Sequence, residues 1–253
     1  MIDDILLQVK NVSRDFGEFR AVDSLDFIVK RGEVVGLLGP NGAGKTTTVR
    51  MLMGMLKPSE GDLSIAGFDC FNERVEVQKK LGYLPDEPFF QPYLRGYEIL
   101  EFVAKVRRLP HARVQEIIET IGNTLELVED LGDYASNYSQ GMRKKMAYLM
   151  AIIHDPELIL MDEPTNGLDP RANKAFLDDL RERANRGVGV LYSTHLLDQA
   201  ERICDRCLIM NHGKIVAAGT VDALKDQVGG VESLEEVFFA LTKEVREPNL
   251  KLT

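Results

Sequence analysis

The stretch Gly39-Pro40-Asn41-Gly42-Ala43-Gly44-Lys45-Thr46-Thr47 decides the fold of this chain of 253 residues. It fits the pattern G-x-x-x-x-G-K-[ST], a glycine-rich loop that wraps the phosphates of a nucleotide. The apolar run at 34–38 ahead of it is typical of a buried strand, and apolar residues behind it repeat on one helix face (Val49, Leu52, Met53 and Leu56). Strand, glycine loop and helix in this order favour a phosphate site over a glycine turn that binds nothing.

Each residue type in this loop has a chemical task. Glycines let backbone N–H groups point at phosphates without Cβ clashes, and a helix N-terminus adds a partial positive charge. We expect Lys45 to reach the β- and γ-phosphates and the Thr46 hydroxyl to be a ligand of Mg²⁺. The whole stretch is predicted to bind nucleotide (Gly39, Pro40, Asn41, Gly42, Ala43, Gly44, Lys45, Thr46 and Thr47).

Composition is that of an ordinary globular protein, with 44% apolar and 28% charged residues. A net charge of −9 argues against a surface that coats nucleic acid, because neutralising phosphates needs clustered Lys and Arg. No apolar run approaches the length that spans a bilayer, and the acidic start Met1-Ile2-Asp3-Asp4 differs from a signal peptide. We therefore expect a cytoplasmic protein with no nucleic-acid partner, held at a membrane only through another protein.

The three cysteines are an odd number and do not predict a disulfide framework. Cys204 and Cys207 have the C-x-x-C spacing that also occurs in redox and metal sites. They share a predicted helix face with Ala200 and Ile203, so core packing is the favoured interpretation.

The order of patterns along the chain predicts an α/β fold. Residues 5–38 alternate apolar and polar positions, as paired antiparallel strands do, and further strands are predicted at 63–67 and 79–84. From 86 to about 154 the patterns are helical, and strand and helix signals alternate again from 157. We predict a P-loop NTPase core of mostly parallel sheet with flanking helices, an N-terminal antiparallel β subdomain, an inserted helical subdomain and an edge hairpin at 207–216.

Two carboxylates follow the predicted strand at 158–161. Parallel sheets bind ligands at the carboxyl ends of their strands. We expect Asp162 to hold Mg²⁺ and Glu163, on the other side of the backbone, to polarise an attacking water as general base. A solvated acidic strand end is the alternative, and the phosphate loop in the same chain disfavours it.

Two other segments allow more than one interpretation. Phe16, beside a predicted turn, suits either core packing or stacking on a purine base. Ser139 and Gly141 begin a helix, where a serine is first of all a capping residue. The same helix start also suits a bound phosphate.

With these residues in order, nearly the whole chain resembles the ATP-binding subunit of an ABC transporter. Phe16 stands at the family's A-loop aromatic, and Gly39 to Thr46 at the Walker A loop. The stretch 138–142, with Ser139 and Gly141, stands at the signature sequence.

The later landmarks of the family follow in the same order. Asp162 and Glu163 match Walker B and the catalytic glutamate, the D-loop falls within 164–169, and His195 matches the switch histidine. The resemblance implies that ATP and Mg²⁺ bind between two head-to-tail ATPase domains, a second copy or a homologue completing each site with Ser139 and Gly141. Glu163 would orient water against the γ-phosphate, and His195 would contact that phosphate. Transmembrane permease subunits are the implied partners.

The chain departs from the family's usual pattern at two places. Asp86 stands where a Q-loop glutamine is usual, so it would either ligate Mg²⁺, directly or through water, or face a partner. The signature carries Gln140 and Met142, and its Ser-x-Gly-Met form, like the segment 237–242, resembles exporter-type members. Few residues follow the hairpin, which disfavours importers that carry a long C-terminal regulatory domain.

We assign 5–238 to the nucleotide-binding domain, with the helical subdomain at about 86–154 inserted, and 239–253 to a C-terminal tail. The alternatives are a soluble ABC-type ATPase that is not coupled to transport and a P-loop kinase. Soluble members of the family carry a long coiled-coil or zinc insertion or a second nucleotide domain, and this sequence shows none of these features. The signature-like helix and His195 argue against the kinase.

Overall fold

The computed structural model describes residues 4–242, which form two sheets surrounded by helices. The strands are β1 (Ile5–Phe16), β2 (Phe19–Lys30), β3 (Val34–Leu38), β4 (Glu60–Ile65), β5 (Phe68–Asp69), β6 (Leu81–Leu84), β7 (Leu158–Asp162), β8 (Gly189–Thr194), β9 (Arg206–Asn211) and β10 (Lys214–Gly219). The helices are α1 (Lys45–Leu52), α2 (Arg74–Lys80), α3 (Gly96–Val106), α4 (His111–Ile117), α5 (Gln140–Ile152), α6 (Pro170–Asn185), α7 (Leu197–Ile203), α8 (Val221–Gln227) and α9 (Leu234–Thr242). Over residues 4–242, none of these helices combines the length and apolar character needed to cross a bilayer.

The central sheet has six strands in the order β10-β9-β3-β8-β7-β6. Five of them run parallel, and β10 pairs antiparallel with β9 at one edge. Strands β7 and β8 are buried at every residue, as expected for a parallel sheet covered on both faces. The predicted parallel core and its edge hairpin are confirmed.

A second sheet, entirely antiparallel, has the order β2-β1-β4-β5 and confirms the predicted N-terminal β subdomain. Successive residues of a strand point to opposite faces, so the central strands divide the interior into two cores. Leu158 and Leu160 pack with the antiparallel sheet and α1. Ile159 and Met161 pack on the other face with α3, α5 and α6.

The insertion between β6 and β7 is helical, as predicted. It contains α3, α4 and α5, with a π-helical turn at Ile118–Gly122 and two 3-10 turns at Val128–Gly132 and Ala135–Asn137. Parallel neighbours need a long crossover connection, which this insertion supplies between β6 and β7. On α3, Ile99 is buried, whereas Phe102 and Val106 are 62% and 67% exposed.

Two local predictions at element ends are wrong. Lys79 and Lys80 end α2 rather than beginning a strand, and β6 starts at Leu81. Cations in the last turn of a helix are favoured by its dipole, which explains why they belong to α2. Helix α1 stops at Leu52, short of the predicted repeat, because Gly54 with a φ of +67° lies just past its end.

Cys204 and Cys207 are both buried, which confirms their core packing. They do not share a helix, however, because α7 ends at Ile203 and Cys207 belongs to β9. A Cβ added at Gly36 would lie 2.9 Å from the Cys204 sulfur, so the thiols fill space beside β3.

Helix α9 passes through position 239, where the sequence places the domain boundary, and ends at Thr242. The rest of the predicted tail, from residue 243 on, lies outside the described residues.

Candidate functional site

The phosphate-loop stretch joins β3 to α1 at the carboxyl edge of the central sheet. Gly44 has a φ of +103°, and a Cβ there would lie 2.6 Å from the carbonyl oxygen of Ala21. A Cβ at Gly39 would lie 2.5 Å from the carbonyl oxygen of Met210. Only glycine fits both positions, so the backbone can curl tightly against its neighbours at the start of α1.

A cavity of 260 Å³ opens over this loop, lined by Phe19, Ala21 and the residues from Asn41 to Thr47. The Lys45 ammonium donates hydrogen bonds to the carbonyl oxygens of Gly39 (2.6 Å) and Pro40 (3.1 Å). Burial lowers the pKa of Lys45, and the neighbouring carboxylates oppose that shift. The cavity therefore contains a partly desolvated cation, which suits an anionic ligand.

Thr46 and Asp162 bring two oxygen atoms together beside the loop. The Thr46 hydroxyl lies 3.4 Å from Asp162 Oδ2, and the Ser193 hydroxyl donates a hydrogen bond of 3.1 Å to Asp162 Oδ1. Burial raises the pKa of the Asp162 carboxyl, and the hydrogen bond from Ser193 opposes that rise. A hydroxyl and a carboxylate are oxygen ligands of the kind Mg²⁺ takes from a protein, with phosphates and waters completing its shell. The pair fits Mg²⁺.

Glu163 and His195 are in direct contact at the neighbouring strand ends. His195 Nδ1 lies 2.8 Å from Glu163 Oε1, while the Thr194 hydroxyl (2.9 Å) and the His195 N–H (3.3 Å) donate to Oε2. The carboxylate is 11% exposed and the imidazole 52% exposed, so Glu163 is held from one side by a ring that reaches solvent. This arrangement can orient a water and accept its proton.

Phe16 and Phe19 form the last pair of the β1–β2 hairpin. Both are exposed, at 47% and 65%. The Arg14 guanidinium lies 4.7 Å from the centre of the Phe16 ring, and Phe19 lines the cavity over the loop. The core-packing interpretation of Phe16 is therefore wrong, and a second aromatic ring stands beside it.

Ser139 and Gly141 stand at the start of α5. The Ser139 hydroxyl accepts a hydrogen bond of 3.2 Å from the Met142 N–H, which confirms its capping role. Ser139 is exposed, and a Cβ at Gly141 would lie 2.8 Å from the carbonyl oxygen of Gly167. Neither residue lines the cavity over the phosphate loop of its own chain.

Two comparisons of sequence identify the family. The profile described as ABC transporter matches residues 22–166, more than half of the chain. The chain is also 35% identical to the uncharacterized ABC transporter ATP-binding protein YhcH of Bacillus subtilis (strain 168), over 92% of this chain and 74% of that protein. This chain is an ABC transporter ATP-binding protein.

Two further relatives in the ABC family are named for resistance to a compound. The chain is 32% identical to the linearmycin resistance ATP-binding protein LnrL of Bacillus subtilis (strain 168), over 96% of this chain and 81% of LnrL. It is 34% identical to the daunorubicin resistance ATP-binding protein DrrA3 of Streptomyces coeruleorubidus, over 90% of this chain and 72% of DrrA3. The resemblance to exporter-type ABC members is confirmed.

Solved structures of ABC proteins have the same fold. An ATP-binding subunit of an ABC transporter matches with a TM-score of 0.89 and 34% identity, covering 94% of this chain and 100% of that one. A dimeric ATP-binding cassette in a post-hydrolysis state, bound to ADP and Pi, has a TM-score of 0.77, over 85% of this chain and 98% of that one. At 22% identity this second likeness shows the fold alone.

Asp86, predicted to stand at the Q-loop position, lies beside a lysine. Its Oδ1 lies 3.3 Å from the ammonium of Lys144 and 3.5 Å from the Asn166 amide nitrogen. Within residues 4–242, no three His, Cys, Asp or Glu side chains are grouped closely enough to hold a metal ion. The structure therefore does not group Asp86 with Asp162 and Glu163 in a three-carboxylate site.

Several site residues were not singled out from the sequence. Phe19, Ser193, Thr194 and Lys144 each contact or border a predicted residue. Ser193 and Thr194 were within reach of the sequence argument, because they directly precede His195 at the end of a buried strand. Lys144 gave no such signal, since a lysine in a helix is usually solvated.

Proposed function

We propose that this ABC protein hydrolyses ATP and powers export through separate membrane-spanning partners, as a peripheral subunit on the cytoplasmic face. The observation that carries hydrolysis is Glu163: a nearly buried carboxylate, oriented by Thr194 and His195, beside the phosphate loop. Export is supported by the resistance named for the relatives LnrL and DrrA3.

The residues divide the work of phosphoryl transfer. Backbone N–H groups of the loop and the Lys45 ammonium would bind the phosphates, exchanging the present carbonyl partners of Lys45 for phosphate oxygens. Thr46 and Asp162 would hold Mg²⁺. When bound, the metal neutralises charge on the phosphates.

Glu163 would accept a proton from the attacking water, and His195 would contact the γ-phosphate. Because His195 Nδ1 bonds the Glu163 carboxylate directly, a move of the imidazole to phosphate would also free that carboxylate for water. Catalysis then comes from positioning and charge neutralisation.

We infer that each site is completed by a second ATPase domain arranged head to tail. The residues that line the cavity over the loop do not include Ser139 or Gly141, and Ser139 is exposed at the N-terminus of α5. That helix has 13 residues, and its N-terminus suits a phosphate presented by the partner domain.

An apolar groove supports a membrane partner. It has a volume of 360 Å³ between β6, α3 and α5, and two of its aromatic rings, Phe89 and Phe102, are 80% and 62% exposed. Exposed apolar patches of this kind mark protein interaction sites. Pro85, next to Asp86, also lines the groove, so a cytoplasmic segment of the transmembrane partner bound there would lie against the Q-loop. The apolar lining of the groove includes Phe89, Phe90, Phe102, Val103, Val106 and Met150.

Glu163→Gln tests the proposed hydrolysis. The amide keeps the size of the side chain but cannot act as a base, so kcat should fall about 100-fold or more. ATP binding should remain, and gel filtration with ATP and Mg²⁺ should detect a stable pair. Glu182→Gln, a surface carboxylate paired with Arg186, is the matched control and should hydrolyse ATP like the wild type.

Two results would contradict this assignment. Phosphate release by Glu163→Gln at the wild-type rate would remove Glu163 from the role of base. Transfer of labelled γ-phosphate to a molecule other than water would reject hydrolysis itself.

A further inference from the structure

We propose that Lys144 is a positioning residue for hydrolysis, whose buried ammonium holds the main chain of Glu163 and ties it to Asp86 in the Q-loop. The inference rests on the proposed ATP hydrolysis and adds a residue outside the Walker, signature and switch segments.

The surroundings of Lys144 are those of a core residue. It lies on α5, its side chain is 0% exposed, and its neighbours Met146 and Tyr148 on the same helix are buried. Burying an ammonium is unfavourable unless it is paired and hydrogen-bonded, whereas an apolar side chain would occupy this place without that penalty. The position therefore calls for an explanation beyond packing.

Two of the three partners of the ammonium, Glu163 and Asp86, are predicted site residues, and the third, Pro85, directly precedes Asp86. Lys144 Nζ donates to the carbonyl oxygen of Glu163 at 2.6 Å and to that of Pro85 at 3.2 Å, and it lies 3.3 Å from Asp86 Oδ1. A lysine has three donors, and these contacts use all of them. Burial lowers the pKa of Lys144, and the negative charge of Asp86 opposes that shift. Asp86 thus supplies the counter-charge that a glutamine at this position would lack.

The Glu163 peptide needs such support. Its φ is +45°, a left-handed conformation that is unfavourable for a residue other than glycine. Conformations of this kind persist where the surroundings over-determine them. Here the Glu163 N–H donates to the Ser193 carbonyl at 2.8 Å, and the Glu163 carbonyl accepts from Lys144. The lysine therefore fixes the direction in which the carboxylate leaves the backbone.

Lys144 also connects segments that meet different partners in the proposed assembly. Helix α5 begins at the signature residues that would face the second ATPase domain, and Pro85 lines the groove offered to the membrane partner. A shift of either segment would therefore move the Lys144 side chain and, with it, the Glu163 carbonyl that it bonds.

Lys144→Met tests this role in the purified protein. We expect kcat to fall at least tenfold. The Kd for ATP should stay within about threefold of wild type, because the ammonium bonds Pro85, Asp86 and Glu163 and none of the residues predicted to bind nucleotide. Lys144→Arg, which keeps the charge and the donors, should recover part of the lost rate. Lys105→Met removes an exposed lysine from the same helical subdomain and should leave kcat unchanged.

The outcomes separate this inference from the proposed function. If the wild type hydrolyses ATP and Lys144→Met keeps kcat within twofold, Lys144 has no positioning role. If the wild type itself releases no phosphate from ATP, the proposed function is contradicted, and the role of Lys144 in hydrolysis is contradicted with it. Equal losses in Lys144→Met and Lys144→Arg, accompanied by a large fall in Tm, would also overturn the inference, since they indicate a packing role alone.

Asp86→Asn keeps the test decisive if Lys144→Met does not fold. The Asp86 side chain is 46% exposed, and asparagine keeps an acceptor oxygen for Lys144 while removing the charge, so folding should suffer less than in Lys144→Met. The inference predicts a lower kcat with an unchanged Mg²⁺ concentration for half-maximal activity. A kcat equal to that of the wild type would contradict the role of Asp86 as counter-charge of Lys144. A rise in that Mg²⁺ concentration would also contradict it, because it would indicate that Asp86 is a metal ligand.

Discussion

At the scale of single residues, the β1–β2 hairpin holds two candidates for the adenine contact. Phe16 and Phe19 are direct cross-strand partners, so their rings lie on the same face of the sheet. The Arg14 guanidinium packs on Phe16, whereas Phe19 borders the cavity where the phosphates are proposed to lie. The base should therefore stack on Phe16, the member of the pair that does not line this cavity.

Alanine substitutions separate the two rings. Phe16→Ala should raise the Kd for ATP about 5-fold to 150-fold, because stacking of a base on an aromatic ring is worth about 1–3 kcal/mol. Phe19→Ala, the matched control on the same hairpin, should change the Kd less than about threefold. Titration calorimetry with ATP measures both, and the reverse order of effects would move the adenine site to Phe19.

Lys144 and Asp86 illustrate why a residue-by-residue reading of the sequence is incomplete. Asp86 stood out only as a departure from the usual glutamine, with a metal or a partner as its expected contact. The structure gives it a third partner, 58 positions away along the chain. No local pattern predicts an ion pair of this kind, because burial of the lysine arises only when α5 packs against β6.

At the scale of elements, the junction of α5 with β6 contains a histidine that folding keeps uncharged. His154 follows α5, and its Nε2 lies 3.1 Å from the carbonyl oxygen of Leu81, the first residue of β6. Burial, helped by the positive charge of Arg107, lowers the pKa of His154 from 6.5 to about 4. The unfolded chain therefore binds a proton at His154 at higher pH than the folded protein does.

Acid should accordingly weaken this junction. The stabilising contribution of neutral His154 is complete above pH 6.5 and is lost as the pH falls towards 4, because protons then favour the unfolded state. At pH 5 the loss is no more than about 2 kcal/mol, given 1.36 kcal/mol per pKa unit. Urea unfolding at pH 7 and pH 5 measures it as the difference between wild type and His154→Gln.

The control for this measurement is His111→Gln on the surface, whose side chain is 65% exposed. Its unfolding free energy at pH 7 and pH 5 serves as the baseline for a histidine outside the core. An equal pH dependence in wild type and His154→Gln would remove His154 from the acid sensitivity of the fold.

At the scale of the whole molecule, the two proposed partners would meet different faces, the membrane partner at the apolar groove and the second ATPase domain over the phosphate loop. Phe102→Glu should abolish binding to the membrane partner because it places a charge on an apolar face. The ring is 62% exposed, so stability and basal ATP hydrolysis should stay close to wild type. The tagged protein, added to detergent-solubilised membranes of the source cell, should retain a multi-spanning protein that Phe102→Glu loses.

Phe239→Glu is the matched control, because Phe239 is 53% exposed on α9 and does not line the groove. It should retain the same multi-spanning protein. Equal retention by Phe102→Glu and the wild type, or no multi-spanning protein with the wild type, would contradict the groove as the docking face.

Much of the architecture could be predicted from local patterns. The phosphate loop, the buried strand before Asp162 and the edge hairpin depend on residues adjacent in the chain, where apolar runs and glycine spacing are direct signals. The ends of elements were harder to predict, as at Lys79 and Lys80, because apolar alternation does not show where a helix ends and a strand begins. The exposure of Phe102 and Val106 was not predictable, since helix periodicity does not distinguish a core from a groove.

The sequence by itself determined that this chain folds as a P-loop ATPase core and which strand ends carry its carboxylates. Those features follow from hydrophobic period, glycine placement and motif order, all of them local. Only the tertiary structure decided that Lys144 is buried against Glu163, that Asp86 is its counter-charge and that Phe19 borders the phosphate cavity. These contacts join residues far apart in the chain, and whether a charge or a ring is solvated or paired depends on what packs over it.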